Sequence, residues 1–255
     1  MDNVLLYFSL KYQGNWEKIY TALDKKEKID HEQFLAETKK IDSTFISIIN
    51  PLYPISLKNS HKPPFVIFTE GDLNLLANYH QIIFLNLENQ HDEYGKKVVN
   101  DLCEGLTKEN RTLLIGDNVE IDFKLTEKLI SNKNKIIFVT KKGIQDFKKI
   151  NKDFLKLLKT TNYLLVSESY ENDSLNSEES DNFLYRLIAG LGKAFVITQA
   201  KSNSSCSKII NYALNDGKEI FAVPERIDSC FKLGNNLIKQ GAKLVENVSD
   251  ILNEL

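Results

Sequence analysis

The stretch FAVPERIDSCFKLGNNLIKQGAKLVENVSDIL, residues 221–252, sets apolar runs against loop chemistry in an order that decides the fold. Its first run stops at Pro224, which cannot continue a strand ladder. Nine residues of loop character follow, then Gly234-Asn235-Asn236 as a turn, a short amphipathic helix, Gly241-Ala242 and a second apolar run. The stretch reads as strand, loop and helix, with another apolar run after them. Upstream the same texture recurs. FVIFTE (65–70), QIIFLNL (81–87), RTLLIG (111–116), KIIFVT (135–140), NYLLVSE (162–168), KAFVIT (193–198) and EIFAV (219–223) are short and β-branched. Helical patterns such as DEYGKKVVNDLCEGL (92–106), IQDFKKINKDFLKLLK (144–159) and SDNFLYRLIAGLG (180–192) lie between them.

Strands that are apolar throughout are covered on both faces. Their alternation with helices predicts an α/β fold: a doubly wound, mostly parallel, Rossmann-like sheet. Such sheets bind ligands outside the carboxyl ends of their strands. The candidate positions are therefore 114–116, 166–168, 198–200 and 223–224, and the loop after Pro224 falls among them. The first fifty residues differ. In NWEKIYTALDKK, Trp16, Ile19, Tyr20 and Leu23 repeat at three and four, and Asp30 is placed to cap a second helix with Gln33 three residues on. This predicts a small helical module over 1–52, followed by the Rossmann-like domain over 53–255.

Composition narrows the function. With 42% apolar and 27% charged residues the chain is globular, and its net charge of −2 excludes a uniformly basic nucleic-acid binder. No apolar run reaches the roughly 20 residues of a membrane span. The start, MDNVLLYFSLKYQGNW, does not read as a signal peptide, and Cys103, Cys206 and Cys230 are too few and too spread for a disulfide framework. A cytoplasmic protein is expected. His31, His61, His80 and His91 make no metal-ligand spacing with one another or with the cysteines. There is no nucleophile elbow, Walker loop or Gly-x-Gly-x-x-Gly, so neither a metal, a cofactor nor an enzymatic reaction is expected.

Phe221-Ala222-Val223-Pro224 and Asn235-Asn236-Leu237-Ile238-Lys239-Gln240-Gly241-Ala242 resemble the C-terminal signature of the DNA-processing protein A (DprA/Smf) family. Arg186-Leu187-Ile188-Ala189-Gly190-Leu191, the strand end Ser167-Glu168 and the entry Tyr53-Pro54-x-x-Leu57 match it in order, over roughly residues 50–255. The resemblance implies a non-enzymatic protein that binds single-stranded DNA, passes it to a RecA-type recombinase and forms a homodimer. Departures accompany it. The family's Gly-Ser/Thr-Arg loop becomes Leu87-Glu88-Asn89, and its Ser-Gly-x-x-x-Gly-Ile-Asp becomes Ile115-Gly116-Asp117-Asn118-Val119-Glu120-Ile121-Asp122. Its Ser-Gly-Ser/Thr-Leu becomes Ser204-Ser205-Cys206-Ser207, the first Arg of its Arg-Asn-Arg becomes Leu184, and the glycine after Val-Pro becomes Glu225. The architecture is retained, while the anion-binding motifs are eroded.

Each candidate has a plain alternative. Ser204 and Ser205 open a helix, where free N–H groups and the helix dipole favour an anion; serine there is also an ordinary cap. Arg186 suits a phosphate by the resemblance, or else an ion pair with Glu179 or Asp181. Gly116 and Asp122 fit a strand-to-helix turn better than a phosphate loop. Asn235 belongs to the wall made by the 225–236 loop. Lys193 fits a phosphate contact less well than a solvated charge at a strand edge. Lys148, Lys152, Lys156 and Lys159 fit a solvated helix face better than a DNA stripe. The acidic segment 167–182 borders the expected pocket and opposes phosphate. Two other readings are a nucleotide-binding or phosphoribohydrolase-like Rossmann protein, disfavoured by the missing Gly-rich loop, and a degenerate scaffold acting through protein contacts.

Overall fold

The computed structural model describes residues 1–39, 41–87, 91–117, 123–130, 134–171 and 177–255. Their centre is a nine-stranded sheet: β1 (Thr44–Ser47), β2 (Val66–Gly71), β3 (Ile82–Leu85), β4 (Thr112–Asp117), β5 (Lys135–Thr140), β6 (Asn162–Ser167), β7 (Ala194–Ile197), β8 (Glu219–Ala222) and β9 (Lys243–Leu244). The order is β1-β2-β6-β5-β4-β3-β7-β8-β9. Strands β3 to β9 run parallel, whereas β1 and β2 are antiparallel additions beside β6. All seven apolar runs form strands. The two missed strands, β1 and β9, are edge strands of four and two residues, too short for a period to show. Residues 44–47, read from the sequence as part of the helical module, thus belong to the sheet.

Alternate strand residues feed opposite faces, as a period of two requires. On one face Ile136 and Phe138 of β5 pack with Leu102 and Leu106 of α5 (Glu93–Lys108), Leu129 of α6 (Phe123–Ile130), Phe147 of α7 (Ile144–Ile150) and Phe154 of α8 (Lys152–Leu158). On the other, Ile137 and Val139 pack with Leu57 of α4 (Ile55–Lys58), Ile188 of α9 (Ser177–Leu191), Ile209 of α10 (Ser205–Asn215) and Leu237 of α11 (Leu233–Lys239). The C-terminal helix α12 (Val248–Leu252) closes with an Asn247–Asp250 capping box.

The predicted helix over 144–159 is two helices broken at Asn151, whose φ and ψ of −107° and 45° leave the helical region. Ile150, expected on the apolar face, is exposed as a result. Gly234-Asn235-Asn236, read as a turn, instead lies in the first turn of α11.

At the N-terminus α1 (Asp2–Lys11), α2 (Trp16–Asp24) and α3 (His31–Thr38) form as the pattern predicts, and Asp30 accepts from the Glu32 and Gln33 N–H groups. They are not detached from the sheet. Leu5 and Leu6 join the main core, while Tyr7, Phe8, Ile19 and Ala22 form a small cluster of their own.

Candidate functional site

The chain winds outward from β3 through β4 and β5 to β6, then returns to lay β7 on the other side of β3. The topological switch therefore lies between β3 and β7, and a crevice is expected outside their carboxyl ends. A polar cluster occupies this place. Asn86, just past β3, donates from Nδ2 to the Gln199 carbonyl at 2.9 Å, while its Oδ1 accepts from the Thr198 N–H at 2.6 Å and Oγ1 at 3.0 Å. The His91 ring meets the same Thr198 hydroxyl at 2.8 Å. Gln199 ties three loops together: its carbonyl takes Asn86, its Oε1 accepts from the Asp92 N–H at 3.1 Å, and its Nε2 donates to the Glu225 carboxylate. Asp92 caps α5 through the Gly95 N–H at 2.9 Å, the main reason its carboxyl is held below the usual range. A Cβ at Gly95 would run into the Gln199 amide, so glycine here leaves that amide its place in the cluster.

Asn235 faces the loop after β8. Its Oδ1 accepts from the Glu225 N–H at 2.9 Å and its Nδ2 donates to the Glu225 carbonyl at 2.8 Å. This two-way clamp fixes the backbone of residue 225 and is a shaping role. The Glu225 carboxylate points back to Gln199 and also accepts from the Arg226 N–H at 2.9 Å. Next to this loop α10 begins. Ser204 is its N-cap residue, with only 3% of its surface exposed, yet its side chain makes no capping bond. Its Oγ has no hydrogen-bond partner among the described residues. Ser205 is buried beside it, and Asn236 of α11 donates to the Ser202 hydroxyl at 3.3 Å.

The other half of the row of strand ends is closed. Arg186 on α9 is buried, and its guanidinium is taken by Glu168 just past β6, not by Glu179 or Asp181. The guanidinium also lies 5.4 Å from the centre of the Phe183 ring. Burial pushes the Glu168 carboxyl up, against the pull of Arg186. Glu168 Oε2 and Arg186 Nε have no hydrogen-bond partner among the described residues. The α1–α2 loop lies over the pair: Ser169 Oγ donates to the Gln13 carbonyl at 3.2 Å, and Gly14 packs against Glu168. Asp181 pairs with Lys141 at 2.7 Å and Asn15 donates to Glu179. Much of the acidic stretch is thus consumed internally.

Gly116 sits within β4 opposite Val139, where a Cβ would collide with Ile188 of α9. It serves helix-to-sheet packing. Asp117 beside it is buried, accepts from Thr140 Oγ1 at 2.8 Å and lies 3.7 Å from Lys142 Nζ. Burial pushes its carboxyl up, and Lys142 partly opposes this. Lys193 lies elsewhere: its N–H bonds the Ile82 carbonyl at the start of β3, the opposite end of the sheet from the crevice. The structure therefore sets Ser204, Ser205 and Asn235 around the crevice, places Arg186 on the buried side of α9 with Gly116 beneath that helix, and leaves Lys193 out. The readings on Glu88, Asn89 and Asp122 lie outside the described residues.

Residues 198–200 were a candidate strand end, but Asn86 and its joining to Thr198 and Gln199 escaped sequence reasoning. Its one signal was that QIIFLNL and KAFVIT both end on polar residues at strands that the topology makes neighbours.

With this geometry in place, the chain matches the family model described as DNA recombination-mediator protein A over residues 44–255. It belongs to that family. It is 29% identical to DNA processing protein DprA of Bacillus subtilis, covering 82% of this chain and 70% of that protein. It is 27% identical to DprA of Streptococcus pneumoniae, covering 89% and 78%. Two solved structures share the fold. DprA of Streptococcus pneumoniae has a TM-score of 0.75 at 24% identity, covering 94% of this chain and 80% of that one. DNA processing protein A of Helicobacter pylori, whose structure concerns its binding mode for single-stranded DNA, has a TM-score of 0.69 at 20% identity, covering 84% and 96%. Among the described residues no helix is long and apolar enough to cross a membrane.

Proposed function

We propose that this chain binds single-stranded DNA in the crevice outside β3, β7 and β8 and passes it to a RecA-type recombinase, as a cytoplasmic homodimer that catalyses no reaction. The observation that carries the reading is the buried, unpartnered Ser204 hydroxyl at the start of the eleven-residue helix α10. A buried polar group without a partner calls for a ligand, and a helix N-terminus selects an anion. Ser205 adds a neighbouring N–H, and Asn235 holds the loop that forms the far wall. Family membership and the DNA-binding Helicobacter relative support the choice of anion. Arg186 ties α9 to Glu168 at the end of β6; it is not offered as a phosphate ligand. In this reading residues 53–255 carry the DNA function and residues 1–52 buttress it.

Fluorescence anisotropy of a labelled oligothymidylate tests this. Phosphate contacts make affinity fall steeply between about 50 and about 200 mM salt. Ser204→Ala removes a hydroxyl that holds nothing within the protein, so the melting temperature stays unchanged. A hydrogen bond to a charged group contributes about 1.5–3 kcal/mol, so the oligonucleotide affinity falls at least about tenfold. No binding at low salt would sink the DNA reading and leave the protein-contact scaffold in its place, which the Glu225 carboxylate beside the crevice would then favour.

A further inference from the structure

The opposite end of the sheet carries a half-open trough of about 1010 Å³, lined by residues 51–56, Leu73, Tyr79, Asp216 and Lys218 among others. This is at the top of the range usual for small-ligand pockets, roughly 300–1,000 Å³. Three observations describe what it would hold. On its rim Leu52 and Ile55 are 64% and 76% exposed, large aliphatic side chains standing in water. Inside it, half-buried Lys218 donates from Nζ to Tyr79 Oη at 3.0 Å, with the ring centre at 5.0 Å, and makes no ion pair with any described carboxylate within 4 Å. Asp216 is near enough to favour its charge, but burial, joined by the nearby Lys193, holds the ammonium below the usual lysine range. Along the walls Asn59, Asn74, Asn78 and Gln81 carry side-chain amides with no hydrogen bond inside the protein among the described residues.

A half-buried ammonium held by a phenol, with no carboxylate in contact among the described residues, leaves a place for an external anion. Free amides suit the N–H and C=O groups of a peptide backbone, and exposed aliphatics suit its apolar side chains. We propose that this trough binds an extended, acidic–apolar peptide segment of a partner protein, its carboxylate on Lys218 and its apolar side chains on Leu52 and Ile55. The trough lies at the carboxyl-distant end of the sheet, so it can be filled while the crevice at β3 and β7 is filled. The proposal does not rest on the DNA reading.

The probes are fluorescein-labelled hexapeptides of Leu, Ile and Phe containing one or two Asp or Glu residues, with counterparts carrying Asn or Gln instead. Anisotropy with the full chain should show the acidic members binding about tenfold more tightly than their amide counterparts. Lys218→Gln abolishes that preference and Lys218→Arg retains it. Ile55→Ser, at an exposed position, weakens both sets. Oligothymidylate binding does not change in any of these variants. The proposal is overturned if no hexapeptide binds, or if binding ignores both Lys218 and Ile55. It is also overturned if sedimentation shows Ile55→Ser dissociating a dimer of the wild-type chain, since a second copy would then cover the trough.

Discussion

The two halves of the row of strand ends share one architecture and differ in how their charges are spent. Outside β3, β7 and β8 the groups are mainly amides, hydroxyls and backbone N–H groups, the Glu225 carboxylate is held by the Gln199 amide, and one buried hydroxyl has no partner among the described residues. Outside β4, β5 and β6 the charges are paired within the protein: Arg186 with Glu168, Lys141 with Asp181, Lys142 near Asp117. A pocket whose donors are not bound up in ion pairs can accept an anion without first breaking one. A pocket whose cation is already engaged has to surrender an ion pair to do so. An arginine matched by sequence can therefore stand at the right place in the fold and still be unavailable to a ligand.

The largest expected effect tests that division. Removing one partner of a buried pair leaves the other charge uncompensated, at a cost of about 3–5 kcal/mol. Arg186→Ala and Glu168→Ala should each lower stability by that amount in urea denaturation. An apolar double variant, Arg186→Met with Glu168→Leu, should recover most of it, because two charges no longer have to be kept out of water. If the double variant is folded and still binds oligothymidylate with unchanged affinity, the pair is structural. If binding is lost while stability is recovered, Arg186 reaches the ligand and the two halves form one site.

A smaller effect is expected at Gly116, where the closed half meets α9. A Cβ would run into Ile188, whose side chain is fully buried. Overpacking of this kind costs typically about 1–3 kcal/mol. Gly116→Ala should fall in that range, and Gly116→Ala with Ile188→Val should regain part of it, since the shorter side chain vacates the contested volume. A drop in DNA affinity without a drop in stability would show instead that the glycine serves the ligand.

The contrast between legible and hidden features follows from chain distance. Seven strands, and the parallel winding of six of them, could be read because each is a local apolar run whose type follows from its own residues. Edge strands β1 and β9 were hidden, being too short to carry a period. Within the site, Ser204 and Ser205 were visible as a helix start, which is a local signal. The partner of Arg186 was not. Glu179 and Asp181 are close in sequence, but Glu168 is brought to it by the position of α9 over β6, and no local pattern reports that. Gln199 stood at a candidate strand end, but its partners were equally hidden, because its role is to join loops from residues 86, 92 and 225. Lys193 was misplaced for the same reason: whether a charge lies at the head or the tail of a parallel strand decides whether it can reach the crevice.

The smallest expected effect concerns Asp117 and pH. Its carboxyl is raised above its ordinary 3.8 by burial, so the folded state holds the proton more tightly than the unfolded state does. The resulting stabilisation is complete below the unfolded value and is lost as pH rises from there through the raised folded value. At neutral pH the folded chain therefore carries the full cost of a buried carboxylate, which Lys142 at 3.7 Å offsets only in part because it is itself half in water. Asp117→Asn keeps an acceptor for the Thr140 hydroxyl and removes the charge. Its melting temperature at pH 7 should exceed that of the wild type by roughly 2–4 °C, about 1 kcal/mol for a chain of this size. The difference should shrink toward zero as pH falls below the ordinary 3.8, where the wild-type carboxyl is protonated in the folded and in the unfolded state. An equal gain at both pH values would mean that the charge of Asp117 was never the cause of the cost.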